Sequence, residues 1–179
     1  MSELAVGVAV DSRPTAPAEL GLEDTGAGSS TPTQVPSQLI SFAIGDDQYG
    51  VDIMAVREIK GWTAITSLPN QPEYVRGVLN LRGVIVPIVD LRCRFGQGLT
   101  EATPMHIVII VQIASKPVGL LADRVLDIVS LDATQIKPVP RVAQSQRLNF
   151  LCGLATTDGA MIALIDLQNL LSGNITEAA

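Results

Sequence analysis

A chain of 179 residues with 12 basic and 18 acidic side chains, net charge −6, has room for one ordinary domain or two very small ones. The acidic balance speaks against a nucleic-acid binder, since no basic stripe offsets the overall negative field. One histidine and two cysteines without CxxC spacing are too few ligands for zinc, and no apolar run approaches the roughly 18 residues of a membrane span.

Residues 1–36 are rich in Gly, Pro, Ser and Thr and read as a flexible N-terminal tail without the basic start of a secretion signal. Gln38 to Ile44 is a strand by β-branching and partial alternation, followed by the turn GDDQ and a second strand, YGVDI. Asp52 is placed to cap a short helix IMAVREI, although strand and helix are hard to separate there. TAITSLPNQP is a connecting loop, and the next element begins near Glu73. Val78–Leu81 and Val84–Val89 then flank Arg82-Gly83 as a hairpin in which Gly83 supplies a positive φ. Pro87 inside the second of these strands predicts an edge or a bulge. Asp90 before LRCRF reads as the cap of a short helical turn.

Further strands are expected at 106–113, 117–122 and 125–130. LDATQIKPVPRVAQSQRLN is a long polar connection, a hairpin follows over 150–165, Asp166 caps LQNLL, and 174–179 form a C-terminal tail. The chain repeats itself. QLISFAIGDDQYGVDIMAVREI (38–59) matches HIVIIVQIASKPVGLLADRVLDI (106–128) at an offset of 69, so that Gly50 falls on Gly119 and Glu58 on Asp127. YVRGVLNLRGVIVPIVDLRCRF (74–95) matches FLCGLATTDGAMIALIDLQNLL (150–171) at an offset of 76, aligning Gly77 with Gly153, Gly83 with Gly159 and Asp90 with Asp166. One unit of roughly 65 residues is thus used twice, too small for a secure core by itself. Short strands separated by Gly and Pro turns point to an all-β fold of small barrels, the two copies sharing a central apolar layer of Val, Ile and Leu. Gly50, Gly83, Gly119, Gly153 and Gly159 are assigned to structural turns, Asp90 and Asp166 to caps.

No reaction centre stands out. Asp46-Asp47 lies in a hairpin turn, where acids are common for local hydrogen-bonding reasons. His106 opens a strand with no Ser or Cys that the sequence supports as its partner, and RGVLNLRG lacks the spacing of a phosphate loop. Binding residues are easier to find. Glu58, Asn80 and Arg82 are polar positions in apolar strings, suited to rim contacts around Val56, Ile59, Val78 and Val84. An internal Glu58–Arg82 pair is the structural alternative, and both roles can coexist. Trp62 either caps the core or anchors an interface. Arg57, Arg76, Arg82, Arg92 and Arg94 crowd the first copy, where they serve an acidic partner or merely end strands in solvent. A ligand sensor with a cavity between the barrels, a self-assembling structural protein and an enzyme are the rival readings.

The string VREIKG followed by LPNQPEYVRGVLNLRGVIVPIVDLRCRF, with GLLADRVLDIVSLDATQIKPVP and GLATTDGAMIALIDLQNLL later, resembles the CheW family of chemotaxis coupling proteins over about residues 37–173. The resemblance implies two SH3-like five-stranded β-barrel subdomains around a shared hydrophobic core, with no catalysis and no cofactor. It implies a cytoplasmic adaptor, weakly associating if at all by itself. The partners would be the tip of methyl-accepting chemoreceptors and the regulatory domain of a CheA-type histidine kinase. Carried over by motif, Val56, Glu58, Gly77, Asn80 and Arg82 would lie on the coupling surfaces, with Ile59 and Trp62 beside them. Gly77 would keep a position clear of a side chain that could block approach, and Arg82 would offer a directional donor that lysine imitates poorly.

Overall fold

Three strands, Gln38–Ile44, Ile107–Ile113 and Lys116–Ala122, bury both faces along most of their length, and the sequence shows why: apolar residues run there consecutively instead of alternating with polar ones. The structure is a computed structural model that describes residues 38–140 and 149–172; the tail readings for 1–36 and 174–179 lie outside the described residues. The first copy contains β1 (Gln38–Ile44), β2 (Asp47–Asp52), a 3-10 turn (Ile53–Ala55), β3 (Val56–Gly61), β4 (Val75–Leu81), β5 (Val84–Asp90) and the single-turn helix α1 (Leu91–Arg94). The second contains β6 (Ile107–Ile113), β7 (Lys116–Ala122), β8 (Arg124–Ser130), β9 (Ile136–Lys137), β10 (Leu151–Thr157), β11 (Ala160–Ile165) and α2 (Leu167–Leu171). The ambiguity after Asp52 resolves in two parts. The Asp52 carboxylate accepts from Met54 N–H over one 3-10 turn, and β-branched Val56 then starts a strand instead of continuing a helix.

The two sequence copies are not the two barrels. One sheet has the order β8-β1-β2-β11-β10-β9, the other β3-β6-β7-β5-β4. Each barrel therefore takes its opening hairpin from one copy, and its third strand and closing hairpin from the other. Two short parallel ladders make the joins: Gly50 pairs with Leu164 between β2 and β11, and Gly119 with Ile88 between β7 and β5. The cause is local. After β2 the capped 3-10 turn carries the chain across into the second barrel, and after β7 a single residue, Asp123, carries it back. The two-residue β9 has its counterpart in an isolated bridge between Thr66 and Val78.

Three apolar clusters follow from this exchange. Leu39, Leu131, Ala155, Ile162 and Leu164 fill the first barrel, and Val86, Ile88, Val108, Ile110 and Leu121 fill the second. Between them, Phe42, Val51, Val89, Leu91, Ile109, Leu120 and Leu170 belong to a common cluster fed by both copies. Strand β6 divides its residues by period 2, Val108 and Ile110 facing the barrel, Ile109 and Val111 the shared core.

Some positions differ from their expected roles. Gly50 and Gly119 lie inside strands, not at turns. A Cβ on Gly119 would meet Ile88 Cδ1 at 2.5 Å and Val108 Cγ1 at 2.8 Å, so the barrel interior leaves no room for a side chain. Gly153 is likewise inside β10, where a Cβ would meet Ile136 Cγ2 at 2.8 Å. Pro87 sits in an inner strand, with no bulge at its own pair with Val78. It is tolerated because the ladder to β7 begins only at Ile88, so no partner needs its missing N–H on that side.

Three of the five crowded arginines are engaged within the chain itself. Arg76 pairs with buried Asp90 at 3.1 Å, and Arg92 with Asp123 at 2.7 Å. Arg94 donates through Nε and Nη2 to the Leu170 carbonyl of α2, at 3.1 and 3.0 Å. Its guanidinium lies 4.3 Å from the Tyr74 ring centroid and 4.4 Å from that of Phe150, so a residue of each copy sandwiches it. Arg94→Ala is expected to cost about 2–4 kcal/mol in urea unfolding, from lost charged hydrogen bonds and cation–π contacts. Arg94→Lys should recover less than half of that, because an ammonium cannot stack between two rings while donating twice to one carbonyl.

Candidate docking surface

The polar residues singled out in the first copy gather on the second barrel. The β4–β5 turn places Arg82 and Gly83 at φ +53° and +88°, the two-residue geometry that suits the twist of a hairpin. Asn80 closes the turn by accepting from Gly83 N–H through Oδ1 at 2.8 Å, so its side chain serves the hairpin first. From this tip Arg82 Nη2 reaches Glu58 Oε2 at 3.4 Å. Glu58 stands on β3, the opposite edge of the same sheet, and the pair thus spans the two edge strands. Arg82 is 85 % exposed against 30 % for Glu58. A pair so open to water contributes little to stability, and its guanidinium keeps most of its donors for something else.

Apolar surface surrounds this pair. Ile59 is partly exposed on β3, Val84 and Ile85 are exposed at the hairpin tip, and Val56 is half-buried against the common cluster. Ile85 was not singled out from the sequence; the signal was two consecutive apolar residues directly after a turn glycine, where one of them must face solvent. Trp62 is half-buried, packs on the second barrel's interior, and donates its backbone N–H to the His106 carbonyl at 2.9 Å. Its packing is that of a cap over the barrel. Gly77 departs most from its expected place. It is buried at φ +141°, and a Cβ there would run into the Thr66 carbonyl, so what it admits is this chain's own 62–72 loop.

Asp90, Asp123 and His106 are engaged structurally. Asp90 accepts from Arg76, Thr100 N–H, Thr100 Oγ1 and Cys93 N–H. Asp123 Oδ2 accepts from Gly45 N–H and Arg92, each at 2.7 Å, while Oδ1 lies 3.6 Å from His106 Nε2. His106 Nδ1 in turn accepts from Thr103 N–H at 3.0 Å. Burial, and next the charge of Asp90, push the Cys93 thiol above its ordinary range, the opposite of what a nucleophile needs. Among the described residues no helix is long and apolar enough to cross a membrane.

The chain is a pair of barrels with a shared core, and the second barrel carries an exposed ion pair with exposed apolar side chains near it. The CheW-like domain family model matches residues 38–174. The chain is 43% identical over 142 residues to the chemotaxis protein CheW of Rhizobium meliloti (strain 1021), covering 79% of this chain and 92% of that protein. It is 39% identical over 138 residues to the chemotaxis protein CheW of Klebsiella aerogenes, covering 77% and 83%. The crystal structure of the scaffolding protein TtCheW from Thermoanaerobacter tengcongensis superposes with a TM-score of 0.72 at 36% identity, covering 78% of this chain and 95% of that one. The chain belongs to the CheW-like family, and its fold is the SH3-like double barrel. It is a chemotaxis adaptor, of the kind that couples chemoreceptors to the CheA histidine kinase. The ligand-sensor alternative finds no support among these relatives.

Proposed function

We propose that this adaptor acts without catalysis, through Val56, Glu58, Ile59 and Arg82 on the second barrel, which engage the regulatory domain of a CheA-type kinase and the cytoplasmic tip of a chemoreceptor. The observation that carries the assignment is Arg82: a guanidinium 85 % exposed, held on a left-handed turn and steadied by Glu58 within apolar surface. That is the composition of an interface hot spot, a directional charge inside a patch that excludes water. Trp62, Gly77 and Asn80 support this surface from beneath by holding the loop and the turn. Recruitment to the inner face of the membrane follows from receptor binding, and residues 37–173 form the docking domain, apart from both tails.

Titration calorimetry of the purified protein against each partner fragment tests this. Arg82→Ala and Glu58→Ala are expected to weaken at least one partner by about tenfold or more, with the unfolding midpoint nearly unchanged. A fragment spanning 37–173 should bind as the full chain does. Equal affinity of both variants and the parent for both partners would remove these residues from the coupling surface.

A further inference from the structure

Each sheet begins with an edge strand, and the repeat makes the two edges equivalent. Among the described residues β8 is hydrogen-bonded to β1 alone and β3 to β6 alone. Both strands carry a bulge at the same place. Val125 and Asp127 lie opposite Phe42 and Ser41 with Leu126 left over, as Val56 and Glu58 lie opposite Val111 and Ile110 with Arg57 left over. At the offset of 69, Asp127 stands where Glu58 does. The two carboxylates are used differently. Glu58 reaches across the sheet to Arg82 at 3.4 Å, whereas Asp127 Oδ1 accepts from the backbone N–H of the next residue, Ile128, at 2.7 Å. That N–H belongs to the outer side of β8. Asp127 turns its own backbone inward: its N–H donates to Ser41 Oγ at 3.0 Å, and the Ser41 hydroxyl donates back to its carbonyl at 2.9 Å. Successive residues of a strand present their backbone groups to opposite sides, so those of Ile128 face away from β1.

We infer that Asp127 shuts the outer edge of β8 against strand addition by a second chain. A strand arriving there needs the Ile128 N–H as a donor, and the carboxylate already holds it in a short, charge-assisted bond. The bulge at Leu126 bends the edge further from a regular ladder. The edge needs such closure. Leu126 is 38% exposed and Ile128 56%, and Asp127 is the single charge between Arg124 and Asp132. Without it, 125–129 would be an unbroken apolar run on an open edge, the composition that seeds pairing between chains. The repeat thus gives one acidic position two tasks, an anchor for Arg82 on the second barrel and a stopper on the first. This inference goes beyond the coupling role and is measured with neither kinase nor receptor present.

Amide exchange and sedimentation velocity on the full chain test it. The Ile128 amide of the parent should exchange about tenfold or more slowly than that of Asp127→Ala. Asp127→Val removes the acceptor and completes the apolar run. It should associate at least about tenfold more strongly than the parent between about 10 µM and about 500 µM. Asp127→Asn keeps an acceptor beside the amide and should stay within about threefold of the parent. Asp127 is exposed, so the variants should keep the fold, as judged by circular dichroism. If Asp127→Val does not fold, Asp127→Ala carries the same comparison. An Ile128 amide that exchanges equally fast with and without the carboxylate overturns the inference. So does a folded Asp127→Val or Asp127→Ala that associates no more than the parent. Association of Asp127→Asn at the strength of Asp127→Val overturns it too, and assigns the protection to charge alone.

Discussion

Asp90→Ala is expected to destabilise the protein by about 3–5 kcal/mol, a large part of the roughly 5–15 kcal/mol that holds a domain of this kind together. The carboxylate is fully buried, and four donors converge on it: Arg76, Thr100 N–H, Thr100 Oγ1 and Cys93 N–H. Removing it leaves Arg76 with the Thr100 carbonyl but no counter-charge, and leaves the buried Thr100 N–H with no acceptor, which costs more than the hydrogen bonds were worth. Asp90→Asn should lie between parent and alanine, since an amide keeps one acceptor but turns an N–H toward groups that are themselves donors. The control is Asp166, its counterpart in the repeat. Asp166 is only half-buried and accepts from Gln168 N–H, Asn169 N–H and the Asn169 side chain, with no cation paired to it among the described residues. Its alanine variant should cost about 1 kcal/mol, the usual effect of a lost cap. Chemical denaturation of both variants reads the difference, and equal losses would mean that the buried network contributes no more than a cap.

The second large effect is expected at Gly77. Alanine there meets two obstacles, a φ of +141° that L-residues avoid and the Thr66 carbonyl, which is backbone and cannot rotate away. Together these imply a loss of about 3 kcal/mol or more. The structure has one easy way to relieve it, by pushing the 62–72 loop off β4 and breaking the paired Thr66–Val78 hydrogen bonds, at 2.9 and 2.8 Å. Trp62, the chain's single tryptophan, sits at the start of that loop. Gly77→Ala should therefore shift tryptophan emission to longer wavelength together with the loss of stability. Gly153→Ala should be milder, about 1–2 kcal/mol, because its φ is not in the left-handed region, its nearest obstacle is a side-chain methyl, Ile136 Cγ2 at 2.8 Å, and the nearest backbone atom, the Lys137 carbonyl oxygen, stands off at 3.4 Å. Unchanged emission in a destabilised Gly77→Ala would place the strain elsewhere than the loop.

These contrasts show what the amino-acid string disclosed and what it withheld. Strand positions were legible because β-branched runs broken by Gly and by Asp caps carry a local signal. The repeat was legible because it is written in matched positions. The exchange of hairpins between copies was not, since a strand's residues look alike whichever barrel receives them; only the pairing of Gly50 with Leu164 and of Gly119 with Ile88 reveals it. Asp90 and Asp166 read alike as caps, and nothing near either said that Arg76 would lie against the first while Cys152 stands in the equivalent place beside the second. Glu58 and Arg82 were legible as a pair because each is polar within an apolar string. The roles of Arg92 and Arg94 depended on Asp123 and Leu170, partners 31 and 76 residues away, and a linear reading could not reach them.

The exchanged hairpins also bear on how the protein is born. Gly50 and its partner Leu164 are 114 residues apart, so at about 5–20 residues per second β2 waits on the order of ten seconds for the strand that completes its sheet. During synthesis the apolar β1–β2 hairpin has neither its third strand nor its closing partners, all of which are encoded in the second copy. Folding is thus deferred until nearly the whole domain has left the ribosome. The nascent first half spends that interval as an open, sticky edge, the state on which chaperones act. Pairings this distant also predict slow refolding for so small a domain, closer to seconds than to milliseconds.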